Sequence, residues 1–102
     1  MHRGELWWAE LEAPAGARPV AVLTRERGVA IRQSVTVAAV TPRARGLPTE
    51  VPLSRADGMA KDCVINADVL LTIGKSRLKR RLAVLSPGKL AALETAVLFA
   101  LG

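Results

Sequence analysis

The stretch Ser34–Leu53, SVTVAAVTPRARGLPTEVPL, restricts the folds open to this chain more than any other. It opens as an apolar run rich in β-branched residues, the composition of a buried strand. Pro42 forces the residue before it into extended backbone, so Thr41 is expected to end that strand. A basic loop with Arg43, Arg45 and Gly46 follows, and Leu47-Pro48 leads into a second extended segment, Thr49–Leu53. Pro52 lacks a ladder donor and assigns that segment to a sheet edge. A strand-end hydroxyl therefore stands beside arginines. Two readings fit these residues, a phosphate-binding corner and a solvated basic turn.

The flanking segments are also short and strand-like. Glu5–Leu11 carries bulky residues, with adjacent Trp7 and Trp8 expected to point to opposite surfaces, both in structural roles. Pro14 and Gly16 make a turn, after which Arg18–Thr24 reads as a strand opened by Pro19, with Arg18 at its mouth. Arg25–Arg32, RERGVAIR, is a polar, charged connection that ordering on a ligand would suit. Asp62–Asn66 and Asp68–Ile73 read as two strand pieces broken at Asn66-Ala67-Asp68, and Arg80–Leu85 reads as a last strand after a turn at residues 74–77. Ser86-Pro87 is a helix start, with serine as N-cap and proline at the first helical position. Leu90, Leu93, Val97 and Leu101 follow at helical spacing, and Leu98 and Phe99 widen the apolar surface toward a subunit contact. Short strands closed by one helix predict a mainly β chain, a small, partly closed barrel in a single domain over residues 1–102.

Charge narrows the partners. Fifteen Lys and Arg against nine Asp and Glu leave +6, which suits a polyanion or an acidic protein. With only Trp7, Trp8 and Phe99 as aromatics, phosphate contacts rather than base stacking are the expected source of affinity. The single cysteine, Cys63, excludes an internal disulfide and a cysteine-based zinc cluster, and fits a reducing cytoplasm. No metal and no cofactor are expected. MHRGELWW lacks the apolar core of a leader, and Leu90–Leu101 is too short to span a bilayer, so no membrane partner is expected. His2, the only histidine, sits at the terminus and is expected to be idle. The run Lys75, Arg77, Lys79, Arg80, Arg81 reads first as a solvated edge.

Taken in order, RGELWWAEL, ARPVAVLTR, VTVAAVTPRARGLPTEVPL and KDCVINADVLLTIGKSRL followed by LSP resemble the MazF/PemK (Kid) family of toxin endoribonucleases over nearly the whole chain. The resemblance implies an SH3-like barrel with a C-terminal helix, a homodimer, metal-independent cleavage of single-stranded RNA at short sequences, and inhibition by a cognate acidic antitoxin. It implies that Arg18, opening the RPV strand, and Thr41, ending the VT strand, act at the scissile phosphate. Asp68 matches an aspartate that some PemK-type members use, but Asn66 stands where those members have arginine. The first loop, APAGA, lacks the histidine and glutamate that longer members carry there, and Asp68-Val69 replaces an Asp-Gln pair. Arg25, Arg43 and Arg45 are the candidates for following the RNA backbone. Two rivals stand beside this reading, a gyrase-poison toxin of the same fold and a small barrel that binds RNA without cutting it.

Overall fold

The computed structural model describes residues 1–25, 31 and 33–102. The expected connection Arg25–Arg32 therefore lies, apart from Arg25 and Ile31, outside the described residues. Six strands follow in the order β1 (Glu5–Glu10), β2 (Ala17–Val22), β3 (Ser34–Thr41), β4 (Glu50–Leu53), β5 (Cys63–Gly74) and β6 (Leu78–Val84). Short 3-10 turns at Arg55–Asp57 and Lys75–Arg77 flank β5, and helix α1 (Pro87–Leu101) ends the chain. The strands form one antiparallel sheet in the order β4-β5-β3-β2-β1-β6, curled into a half-barrel. β4, with its proline, lies on an edge as read from the sequence.

Alternation along the strands separates two apolar clusters. Leu6, Ala21, Ala38, Val40, Ile65 and Leu53 face α1, with Leu93 and Ala96 closing that side. Ala9, Val20, Val22, Val35, Val37 and Leu78 form the second cluster, against which Trp7 packs. The two tryptophans thus separate as the pleat requires. Trp7 joins the second cluster, where its indole donates to Glu5 Oε1 at 2.9 Å, and Trp8 turns to the cleft described below.

The two strand pieces expected either side of Asn66-Ala67-Asp68 are one strand with a bulge at that point. Ala39 pairs with Asn66 but Ala38 pairs with Leu70, so Ala67, Asp68 and Val69 are extra on β5. Side chains and a neighbouring backbone hold the bulge. The Asp68 amide donates to Asn66 Oδ1 at 2.9 Å, a turn that asparagine makes with backbone two residues on. The Ala67 amide donates to the Thr49 carbonyl at 2.8 Å.

Helix α1 starts where the Ser-Pro signal placed it, with Ser86 Oγ accepting from the Lys89 amide at 3.1 Å. Its buried stripe differs from expectation at the end: Leu93 and Ala96 are buried, but Leu101 is exposed. At 3.6 residues per turn Ala100 lies about 20° from Leu93 around the helix and Leu101 about 80°, so Ala100 takes the place against the core.

Candidate nucleic-acid cleft

The cleft at the Thr41 end of β3 has a volume of about 520 Å³ and brings Arg18, Thr41, Trp8, Lys61 and Arg80 together. β2 and β3 bring in the first pair. Val20 pairs with Ala39, and continuing that antiparallel register two residues brings Arg18 level with Thr41. Both side chains are half-buried. Arg18 Nε donates to the Ala15 carbonyl at 2.9 Å, which anchors the stem while the two terminal nitrogens have no partner among the described residues. A guanidinium held by one edge presents its remaining donors as a fork suited to phosphoryl oxygens. The Thr41 hydroxyl likewise has no hydrogen-bond partner among the described residues, so it is not occupied as a backbone cap. Pro42 continues the cleft wall, as its place after Thr41 suggested.

β1 and β6 supply the next side. Trp8 sits in register with Pro19 on one neighbour and Arg80 on the other, and residues directly opposite share a face. The sequence does not single out Lys61, and it offers Arg80 only within the basic run that reads first as a solvated edge. The basic run that looked like one solvated edge divides by its partners. Arg77 pairs with Glu12 at 3.0 Å and Arg81 with Glu5 at 3.3 Å, while Arg80 lines the cleft. Strand alternation from Arg81 to Arg80 was the available signal, but it required the register against β1.

Arg43 and Arg45 are exposed on the loop leaving the cleft. Glu50 organises that loop, its Oε1 accepting from the amides of Arg45 at 2.9 Å and Leu47 at 3.1 Å. The Arg45 amide is the main influence holding the Glu50 carboxyl below its ordinary pKa. Backbone donors thus satisfy the nearby carboxylate, leaving both arginine side chains without an ion pair among the described residues.

Two other candidates lie elsewhere. Asp68 is not among the residues lining the cleft. Its Oδ2 accepts the Thr49 hydroxyl at 2.6 Å, and it stands four residues along β5 from Val64, the partner of Thr41. Arg25 lines a different hollow, with Arg3, Thr24 and Glu94 beside the last turns of α1. The expected grouping of Arg18, Thr41 and Asp68 is therefore, within one protomer, a pair plus a bulge residue. Cys63 lines the cleft half-buried, and burial, with Asp62 and Asp57 adding to it, pushes its thiol pKa up. Among the described residues no three His, Cys, Asp or Glu side chains gather as a metal site, and no helix is long and apolar enough to cross a membrane.

A curled sheet closed by a terminal helix, with cations at the strand ends, defines a small-barrel protein with a cationic cleft. Residues 2–101 match the family described as PemK-like, MazF-like toxin of type II toxin-antitoxin system, and the chain belongs to that family. It is 41% identical over 91 residues to a probable endoribonuclease MazF2 of Mycobacterium tuberculosis, covering 88% of this chain and 87% of that one. The fold superposes on M. tuberculosis toxin MazF-mt6 with a TM-score of 0.87 at 35% identity, covering 95% of each chain. An endoribonuclease from a mycobacterial species, solved in complex with its cognate antitoxin, gives a TM-score of 0.87 at 25% identity, covering 100% of this chain and 95% of that one.

Proposed function

We propose that this chain is an endoribonuclease toxin of a type II toxin–antitoxin pair. It cuts single-stranded RNA at selected sequences, independently of the ribosome and of metal, with the substrate's own 2′-hydroxyl as nucleophile. The observation that carries this reading is the meeting of Arg18 and Thr41 at one cleft, with a guanidinium fork and a hydroxyl both unpartnered among the described residues. The 2′-oxygen attacks the adjacent phosphorus and the 5′-oxygen departs. Arg18 and Thr41 hold the non-bridging oxygens, whose negative charge grows in the phosphorane, so they bind the transition state more tightly than the ground state. Arg43 and Arg45 continue the positive surface along the strand leaving the cleft. The same cations suit an acidic, flexible segment of an antitoxin, which would cover the RNA path as it orders. Two copies act together, joined through apolar surface at the end of α1.

Mapped RNA ends separate this mechanism from a metal-activated water. Cleavage by the 2′-hydroxyl persists in excess chelator and stops when one 2′-deoxy nucleotide replaces the ribose 5′ of the scissile phosphate. The upstream product ends in a 2′,3′-cyclic phosphate or its hydrolysed form, and the downstream product in a 5′-hydroxyl. Abolition by chelator, with the deoxy substitution tolerated, would overturn the mechanism and the roles of Arg18 and Thr41.

A further inference from the structure

Resting on the ribonuclease reading above, we propose that Lys89, in the first turn of α1, is a positioning residue for the cleavage: through Asp57 it fixes the loop that walls the cleft. The helix itself gives no reason for a lysine there. Ser86 caps α1 and Pro87 opens it, so Lys89 takes the third helical position, where the helix dipole favours an acidic side chain and a cation works against it. The first turn carries no acidic residue. A choice that works against its own helix is offset elsewhere, and the contacts of the ammonium show where. It donates to the Pro52 carbonyl on the edge strand β4, and it lies 3.8 Å from Asp57 Oδ2. The Asp57 side chain is only 12% exposed, so water and salt screen this pair less than the Arg77–Glu12 pair on the surface.

Asp57 carries the contact into the loop. The same Oδ2 accepts from the Ser54 amide at 2.9 Å, and Ser54 Oγ accepts from the Ala56 amide at 3.2 Å, so the two side chains cap the 3-10 turn reciprocally. From that turn the chain passes straight to the cleft, where Gly58, Met59, Ala60 and Lys61 form part of the lining with Arg18 and Thr41. Gly58 has φ +91°, and a Cβ there would come 2.9 Å from Ala83 Cβ, so the backbone lies directly on β6. Met59 is buried in the main core, and its amide donates to the Ser54 carbonyl at 3.2 Å. Beyond it the side chains of residues 60–62 are exposed, with no hydrogen bond or ion pair among the described residues, until β5 starts at Cys63. The position of this stretch is therefore set by the turn before it, and Asp57 ties that turn to Lys89. Asp57 and Lys89 also line a neighbouring hollow that shares Pro42 and Cys63 with the cleft.

A fixed wall acts on geometry rather than on charge. The bound strand must lie with its 2′-oxygen, phosphorus and 5′-oxygen in line. A misplacement of about 1 Å, caused by a change far from the chemistry, costs about a hundredfold in rate. Removing the Lys89 ammonium leaves the phosphate contacts in place and lets the wall move. The loss then falls on the rate of bound strands, not on binding, which the arginines supply. The single thiol gives the wall a reporter of its own. Cys63 ends the loop, lines the cleft and is half-buried. Taking a cation away disfavours the thiolate and slows alkylation, so a faster reaction reports opening of the wall.

Lys89→Met keeps the stem and removes the ammonium. At a temperature where parent and variant are both fully folded by thermal melts, it is expected to lower kcat by about tenfold with KM within about twofold. Without RNA, iodoacetamide is expected to alkylate Cys63 about tenfold faster in the variant, at a rate unchanged by low urea, because a local opening exposes little surface. Asp57→Asn is expected to lower kcat alike, and the double variant to be no worse than either single one, as two members of one contact require. Lys89→Arg keeps the charge and its donors and is expected to stay within about threefold of the parent. Parental alkylation in Lys89→Met, alkylation that climbs steeply with urea, additive losses in the double variant, or an unchanged kcat with the wall opened would each overturn the assignment. If the parent protein yields no cyclic phosphate, the ribonuclease reading itself fails. If it does and Lys89→Met matches the parent, only the role of Lys89 fails.

Discussion

At the scale of single residues, the same charge chemistry serves both stability and reaction. Glu5 is buried, and burial pushes its pKa up, yet hydrogen bonds from the Trp7 indole, the His2 amide and Arg81 outweigh that and leave it below the ordinary carboxylate value of 4.5. A carboxyl with a depressed folded pKa contributes stability above its unfolded pKa and loses it as pH falls through the folded value. Glu5→Gln should therefore destabilise by about 1–3 kcal/mol at neutral pH, and the difference in melting temperature should shrink below pH 4.5. A difference independent of pH down to acid unfolding would show that shape, not ionisation, matters there. Arg18 differs in having terminal nitrogens without a partner among the described residues. Arg18→Ala should keep the melting temperature within a few degrees and lower the cleavage rate by about a hundredfold or more, the usual loss for a transition-state charge donor. Near-parental cleavage by the folded variant would remove Arg18 from the site.

At the scale of elements, the bulge in β5 explains why Asp68 reads two ways. Its carboxylate receives the hydroxyl of Thr49, which is only 6% exposed. Asp68→Ala should leave that hydroxyl without its acceptor and destabilise by about 1–3 kcal/mol, with cleavage reduced by no more than about tenfold. A rate loss as deep as that of Arg18→Ala, in a folded variant, would put the carboxylate back in the reaction. The element scale also divides what local sequence could specify from what it could not. The end of β3 at Thr41, the edge placement of β4 and the N-terminus of α1 were legible because proline and serine act within one or two residues. Asn66-Ala67-Asp68 was legible as an interruption but not as a bulge, since a bulge is defined by the residues opposite it on β3 and by Thr49. Thr41 was legible as a strand-end hydroxyl beside arginines and Arg18 as the residue at a strand mouth; the family resemblance joined them as a pair, and the register brings them level. Arg80 was legible only within a basic run that reads first as a solvated edge, and Lys61 not at all, because their place in the cleft depends on how β5 and β6 come together. Arg25 joins the RNA candidates on charge alone, which does not say at which end of the sheet a side chain emerges, and it lines a different hollow from Arg18 and Thr41.

At the scale of the whole molecule, a net charge of +6 and a large apolar surface make separate demands. The charge should appear as salt-dependent binding of a 2′-deoxy, uncleavable strand. Arg43→Ala and Arg45→Ala should each flatten the log–log salt slope by about 0.7, the value per phosphate contact on single strands, and Arg25→Ala should not. Equal changes from all three would mean that the strand also runs past the α1 end. The apolar surface asks for protein. Leu98, Phe99 and Leu101 are 72%, 63% and 72% exposed at the end of α1, three large side chains within four residues. Single exposed apolar residues are ordinary on a protein surface, but three large ones in the last turn of a terminal helix suit a subunit contact. In a symmetric pair the same patch meets its own copy, so one substitution acts twice in the interface. The parent protein is therefore expected to sediment as a dimer at micromolar concentration. Leu98→Asp combined with Phe99→Asp should give a monomer whose melting temperature no longer rises with concentration, because two desolvated carboxylates per copy would face each other. The substituted positions are exposed whereas Leu93 and Ala96 are buried, so the monomer should keep its circular dichroism spectrum. A parent protein that is monomeric by sedimentation, or a doubly substituted chain that remains dimeric, would move the interface away from α1.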